Sequence, residues 1–170
     1  MKIVMNSLKK NDVKELVNNF CTVFRELCLK LGIEKYKEGR RALFEGTALY
    51  VINGVPLVFE YNGFKYPTLV AIALGGLGST SYVVVDQGAV KHLLNGADVM
   101  APGIVETSDF QIGDVVSVWS PDRKTALVVG RALMNSKEVL MIRRGKAIKN
   151  IHYAGDKVWK ICLEVLRKIK

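Results

Sequence analysis

The sequence predicts an α+β protein: a small N-terminal α/β domain, then a small β-barrel or sandwich, and finally a C-terminal helix. Three patterns support this fold class: an apolar helical stripe near the start, short β-rich segments separated by turn residues, and a second apolar stripe at the end. We place the first domain at residues 1–78 and the second at residues 79–159. Residues 160–170 extend a C-terminal helix that begins near residue 156.

The first apolar stripe predicts a single helix over residues 12–31. Its members repeat at the spacing of one buried helical face: Val13, Leu16, Val17, Phe20, Val23, Phe24, Leu27 and Leu31. Gly32 follows the last apolar turn, where a left-handed residue commonly ends a helix.

A β-hairpin is predicted next. Thr47–Ile52 and Val55–Tyr61 are β-rich runs that flank Asn53-Gly54. Asn-Gly is the strongest short hairpin signal, because both residues accept a positive φ in the turn. Asn62-Gly63 predicts a second turn, and residues 67–74 predict a short helix with proline at its start.

A glycine-rich loop, LGGLGST at residues 74–80, separates the two domains. It precedes a strand and lacks the Lys-Ser/Thr ending of a P-loop. We therefore interpret it as an interdomain linker rather than as a phosphate-binding loop.

The second half is rich in short β segments. Strands are predicted at residues 82–85, 99–100, 115–119, 126–133 and 147–152, with a short helix at residues 87–94. This spacing is typical of a small barrel or sandwich. The final apolar stripe, from Val158 to Ile169, is too short for firm lipid anchoring, so we expect its helix to pack on the protein rather than on a membrane.

Charge narrows the choice of partners. The chain has 25 Lys and Arg against 16 Asp and Glu, a formal net charge of +9. A positive field attracts polyanions, so RNA, DNA and anionic membrane are the candidates. The excess is spread along both halves and forms no charged tail.

The cysteine pattern favours a structural role. Cys21, Cys28 and Cys162 all fall at apolar helical positions, so we expect three buried, unpaired thiols rather than a disulfide framework. No C-x-x-C pair is present, and we expect neither a metal nor a cofactor. The apolar run in the first residues is too short for a signal peptide. No segment reaches the ~20 consecutive apolar residues that a membrane-spanning helix needs. We expect a cytoplasmic protein.

Two residue runs carry a resemblance to a known domain. VVVDQGAVKHLLNGADVMAPGI, residues 83–104, resembles the opening of a PUA domain, and GKAIKNIHYAGDKVW, residues 145–159, resembles its closing strand. A helix, a hairpin and then YPTL at residues 66–69 are similar to the layout of the malignant T-cell-amplified sequence family and its archaeal counterparts. The resemblance implies a PUA pseudo-barrel after the N-terminal domain.

The same resemblance implies a function in translation initiation. Eukaryotic members of the family pair with a density-regulated partner protein on the small ribosomal subunit and handle transfer RNA, and PUA domains generally bind structured RNA. We therefore expect a ribosome-associated, RNA-binding protein that engages the 3′ end of transfer RNA or ribosomal RNA of the small subunit, and that is not an enzyme.

Two alternatives to direct RNA recognition stay open. One is an adaptor that docks a ribosomal or initiation protein, with Tyr50 and Phe59 on the predicted hairpin as anchors or as core residues. The other is an accessory subunit of an RNA-modifying enzyme.

The candidate RNA site lies in the second domain. Gly88, Gly96 and Gly103 admit a close ribose-phosphate backbone or simply permit turns, and Ala89 and Ala97 keep a groove shallow or serve packing. The remaining candidates are a phosphate contact at Lys91, an apolar floor of Met100 and Pro102, and a basic set of Arg131, Arg143, Arg144 and Lys146. Asp98 either accepts a hydrogen bond from a base edge or caps the following turn. His152 either contacts RNA or is a core histidine whose hydrogen bonds are made within the protein.

Overall fold

The computed structural model describes residues 2–169 and confirms the α+β class. The chain divides into two compact units at Gly75/Gly76 and at Asp156/Lys157. Gly76–Asp156 form the second unit, and the segments before and after it together form the first.

The first unit begins with a sheet and three helices. Its elements up to the division are β1 (Val4–Ser7), α1 (Lys10–Val23), α2 (Arg25–Leu31), β2 (Gly39–Phe44), β3 (Thr47–Ile52), β4 (Val55–Tyr61), β5 (Phe64–Pro67) and α3 (Leu69–Gly75). The five strands form one antiparallel sheet in chain order. β1 and β2 lack a strong period-two pattern, and the sequence did not predict them.

The predicted hairpins of this sheet are confirmed. Asn53 and Gly54 have φ of 50° and 79°, and Asn62 and Gly63 have φ of 49° and 79°. Such pairs of positive φ values twist the connection in the sense that two-residue hairpins need. A third turn of the same kind, Glu45-Gly46, joins β2 to β3, and its glutamate is not a residue that signals such a turn.

The prediction of one helix over residues 12–31 is wrong. Phe24, with φ −115° and ψ 61°, interrupts it between α1 and α2. Seven residues of continuous helix would separate the Cα atoms of Cys21 and Cys28 by about 10 Å. At this break they lie 5.1 Å apart and form a disulfide, which corrects our expectation that both were unpaired thiols. Cys162 is buried, as expected.

The second unit is a curled sheet with two short helices. Its elements are β6 (Ser81–Val85), α4 (Gln87–Leu93), β7 (Val99–Met100), β8 (Ile104–Thr107), β9 (Val115–Trp119), β10 (Ala126–Ala132), α5 (Ser136–Ile142) and β11 (Lys146–Tyr153). The six strands are ordered β7-β11-β10-β9-β6-β8, and among the residues that the structure describes in this sheet only β6 and β9 pair in parallel. The core is mostly aliphatic and includes Val83, Val116, Val118, Val128 and Ile148.

Two elements of this unit were not predicted, β8 and α5. α5 has a capping box in which the Glu138 backbone N–H donates to the side chain of Asn135. Its last three residues, Leu140, Met141 and Ile142, are all exposed, so apolar periodicity does not show the helix.

The C-terminal helix α6 (Lys157–Ile169) packs against α3 and β4. Ile161, Cys162 and Val165 are its buried residues, so its apolar face is covered by protein. This helix, which includes the predicted C-terminal extension, groups with the first unit. Among the described residues, no helix has the length and apolarity needed to cross a membrane.

Gly130 permits an unusually close approach between β10 and β11. The strand register shifts between Val129 and Gly130. A Cβ atom at Gly130 would lie 2.3 Å from the Ile148 side chain and 2.6 Å from the Lys149 carbonyl oxygen. The second contact is with backbone, so only a glycine fits without displacing β11.

We predict that Gly130→Ala destabilises the second unit by about 1–3 kcal/mol, the usual cost of overpacking a core. Urea unfolding measures the change. Gly88→Ala is the matched control, because a Cβ there would lie 3.5 Å from its nearest neighbour, the Asp86 side chain. A stability of Gly130→Ala equal to that of the control would contradict the packing argument.

Candidate nucleic-acid interface

A groove of about 630 Å³ lies on the second unit between α4 and the β7–β11 edge of the sheet. Its floor is largely apolar, and charged side chains stand around it. The lining residues are Asp86, Ala89, His92, Leu93, Gly96, Ala97, Asp98, Met100, Gly103, Lys146 and Lys149.

The wall formed by α4 is fixed at both ends. At its start, the Ala89 backbone N–H donates to the Asp86 side chain at 3.0 Å, and the Asp86 backbone N–H donates to the Gly103 carbonyl at 2.9 Å. After its end, Gly96 has φ +91°, and a Cβ there would lie 3.2 Å from the Tyr153 ring. This glycine is therefore required by the turn itself.

The glycine at the other side of the groove has a packing role. A Cβ at Gly103 would lie 3.3 Å from the Cβ of Ala89. The pair lets the 3-10 turn Ala101–Gly103 lie close to α4, so Ala89 and Gly103 together set the depth of the groove.

Asn150 on β11 ties the strand to the opposite wall. Its side-chain Nδ2 donates to the carbonyls of Leu93 at 3.2 Å and Ala97 at 2.9 Å. Its backbone N–H donates to Oδ1 of Asp98 at 2.9 Å. These bonds hold the segment after α4 against β11.

Two lysines of β11 enter the groove because the strand is irregular. The register against β7 shifts between Lys146 and Ile148. Ala147 and Ile148 are both buried, whereas Lys146 and Lys149 both line the groove. In a regular strand, residues three apart point to opposite faces, so a bulge re-aims one of them. For this reason, Lys149 could not be predicted as a groove residue from the strand pattern.

Asp98 lies between these lysines. Its Oδ2 is 3.3 Å from Lys146 Nζ, and its Oδ1 is 3.8 Å from Lys149 Nζ. Burial by itself raises the pKa of Asp98, but the Asn150 N–H and the two ammonium groups outweigh burial and lower it below the ordinary 3.8. The carboxylate is therefore stabilised in its charged form.

A basic edge adjoins the groove. Arg143 ends α5 with φ 55° and its Nη1 donates to the Ile104 carbonyl at 3.4 Å, while Arg144 follows it and is exposed. The Ala101 N–H donates to the Gly145 carbonyl at 2.9 Å, which places this turn beside Ala101–Gly103. Arg131 pairs across the sheet with Lys149, and its Nε donates to the Gly113 carbonyl.

The structure brings together seven of the predicted site residues in the groove itself: Ala89, Gly96, Ala97, Asp98, Met100, Gly103 and Lys146. Gly88, Lys91 and Pro102 lie outside its lining, as do Arg131, Arg143 and Arg144 of the basic edge. His152 is 0% exposed and its Nδ1 lies 2.9 Å from Asp156, so burial removes it from RNA and matches the core alternative. The groove residues absent from the sequence prediction include His92 and Leu93, which follow Ala89 by one helical turn.

Neither Tyr50 nor Phe59, the two predicted protein anchors on the hairpin, is among the exposed aromatic residues of the sheet. Phe59 is only 1% exposed and stacks on Tyr66, so it is a core residue. Tyr50 donates its hydroxyl to Glu60 at 2.6 Å, and burial together with that carboxylate raises its pKa. The exposed aromatic side chains of this sheet are Tyr61 and Phe64, which pair across the β4–β5 turn.

Comparison with known proteins identifies residues 81–154 as a PUA domain. An uncharacterized protein of Methanocaldococcus jannaschii is 40% identical, over 89% of this chain and 93% of its own length. Translation machinery-associated protein 20 of Schizosaccharomyces pombe is 32% identical, over 68% of this chain and 67% of its own. The crystal structure of a hypothetical protein from Pyrococcus horikoshii matches with a TM-score of 0.80 and 35% identity, covering 94% of this chain and 99% of that one.

The second unit is thus a PUA domain, which is an RNA-binding fold. The chain belongs to the family of PUA-domain proteins that includes translation machinery-associated protein 20 and malignant T-cell-amplified sequence 1. This membership confirms the resemblance carried by residues 83–104 and 145–159.

The lowered pKa of Asp98 predicts an acid-dependent loss of stability. A carboxylate whose folded pKa is depressed stabilises the fold above its ordinary pKa, and that stabilisation is lost as pH falls through the folded value. The wild type should therefore lose more unfolding free energy than Asp98→Asn as the pH falls from neutrality to below 3.8.

Urea unfolding at a series of pH values measures this difference. The exposed Asp109, replaced by Asn, provides the control for removing one carboxylate from the same unit. Parallel pH profiles of the wild type and Asp98→Asn would contradict the assignment.

Proposed function

We propose that this protein is an RNA-binding component of the translation apparatus, and that its PUA groove engages a single-stranded segment of structured RNA. The observation that carries the proposal is a groove with an apolar floor, bordered by a basic edge, in a domain of RNA-binding fold. The target is the 3′ end of transfer RNA or ribosomal RNA of the small subunit.

The groove fits an unstacked nucleotide. Met100 and Ala89 offer apolar contact to a base, and Gly103 lets a ribose approach the backbone. Sequence-specific RNA recognition mostly uses single-stranded ends and loops, because A-form duplexes hide their base edges in a deep major groove. Lysine and arginine at the border supply phosphate contacts that hold the strand.

The names of relatives support the assignment to translation. The alignment with translation machinery-associated protein 20 of Schizosaccharomyces pombe includes residues of both units of this chain and covers 67% of that relative's length. We propose a role in translation initiation, which would take place in the cytoplasm and on the small ribosomal subunit. The partner protein there would be of the density-regulated type.

We further propose that the protein acts by binding rather than by catalysis. The lining of the groove, among the described residues, contains no serine, threonine or cysteine nucleophile. His92 is its one imidazole, and the two carboxylates there hold the α4 N-terminus and the lysines.

Binding of RNA should depend on the basic edge. Replacing Arg143 and Arg144 together with Ala should raise the dissociation constant for transfer RNA or a single-stranded oligoribonucleotide about tenfold. The plot of log K against log salt should also become shallower, its negative slope decreasing in magnitude by about 1.4, since each single-strand phosphate contact contributes about 0.7. Fluorescence anisotropy at several salt concentrations measures both quantities.

The control removes the same charge from the first unit, with Lys10→Ala and Lys14→Ala on the exposed side of α1. If the arginine variant binds RNA with the same affinity and the same salt dependence as the wild type, this edge is excluded as an RNA contact. A wild-type protein that binds neither RNA would refute the proposed function.

A protein-docking adaptor is a second candidate, favoured by the exposed aromatic pair at the β4–β5 turn. Tyr61 is 41% exposed and Phe64 is 53% exposed. Tyrosine and phenylalanine are enriched at protein–protein interfaces relative to the rest of the surface. If this surface docks a ribosomal or initiation protein, that protein should remain bound after nuclease treatment and be lost with Tyr61→Ala and Phe64→Ala.

Leu74→Ala is the control for the adaptor test, because Leu74 is an exposed apolar residue of α3. Partners that disappear on nuclease treatment, or that remain with the aromatic variant, would favour RNA as the link.

A further inference from the structure

The cations inside the groove already have an anionic partner. Lys146 and Lys149 line the groove, and both lie within salt-bridge distance of Asp98. Asp86 and Asp98 are the acidic residues of the lining, so its two carboxylates equal its two ammonium groups. The positive excess of this region therefore lies on the border, at Arg143 and Arg144, rather than in the groove.

The two sides of the Asp98 pairs differ in exposure. The Asp98 side chain is 12% exposed, whereas those of Lys146 and Lys149 are 64% and 53% exposed. Asp98 is also held by the Asn150 N–H, which does not depend on either lysine. A lysine is a flexible point charge on a long stem, so the ammonium groups can move while the carboxylate stays in place.

We propose that Asp98 is an internal counterion of the RNA site, which positions Lys146 and Lys149 in the groove and yields them to incoming phosphates. This inference rests on the proposed function and adds the residue that sets the effective charge of its site. Partly exposed ion pairs are weak and easily exchanged, which lets a phosphate compete with the carboxylate.

The exchange has a measurable consequence. While Asp98 stays near the lysines, they neutralise RNA phosphates less completely than two isolated cations would. The salt dependence of binding reports the number of phosphates neutralised. Removing the charge of Asp98 should therefore steepen the slope of log K against log salt by about 0.7, the contribution of one single-strand phosphate.

Asp98→Asn is the suitable variant because the amide oxygen still accepts the Asn150 N–H. Binding of a single-stranded oligoribonucleotide is measured by anisotropy over a series of salt concentrations, with unfolding curves to verify the fold. Asp109→Asn removes one exposed carboxylate of the same unit and should leave the slope unchanged.

A double-mutant comparison separates counterion exchange from general repulsion. Asp98→Asn should steepen the slope in the wild-type background but not in a variant with Lys146→Ala and Lys149→Ala. An equal steepening in both backgrounds, or none in either, would overturn the proposal while leaving RNA binding intact. If the wild type binds no RNA at all, both the proposed function and this inference fail.

Discussion

The groove depends on the close packing of β11 against its neighbours. Gly130 lets the backbone at Lys149 approach β10, and the bulge near Ala147 turns both strand lysines to one side. Asn150 then ties the same strand to the segment that follows α4. One strand therefore contributes both to the width of the groove and, through Lys146 and Lys149, to its charge.

The charges at the groove of the PUA domain are divided between two places. Within the groove, carboxylates and ammonium groups balance over an apolar floor, which suits a nucleoside. On its border, Arg143 and Arg144 provide cations that suit the phosphates of a strand. In the proposed function, long-range attraction and local recognition of RNA would come from different residues, and a net charge of +9 by itself does not distinguish them.

Features encoded within a few residues were predictable. The β3–β4 hairpin has the predicted bounds because Asn53-Gly54 needs only its own φ values to form the turn. The break at Phe24 was not predictable from apolar spacing, since α1 and α2 both keep a buried face on either side of it. α5 was missed because its exposed apolar residues obscure the helical period.

The sequence by itself determined the α+β class, the resemblance to PUA-domain proteins, the hairpin turns and, through the GADVMAPG segment, five of the eleven groove-lining residues. Only the tertiary structure decided that Cys21 bonds to Cys28, that His152 is buried beside Asp156, and that Lys149 joins Lys146 at Asp98. The physical reason is range: turns and helical faces follow from neighbouring dihedral angles. Residues about fifty positions apart, such as Asp98 and Asn150, meet only through strand register and bulges that local sequence patterns do not specify.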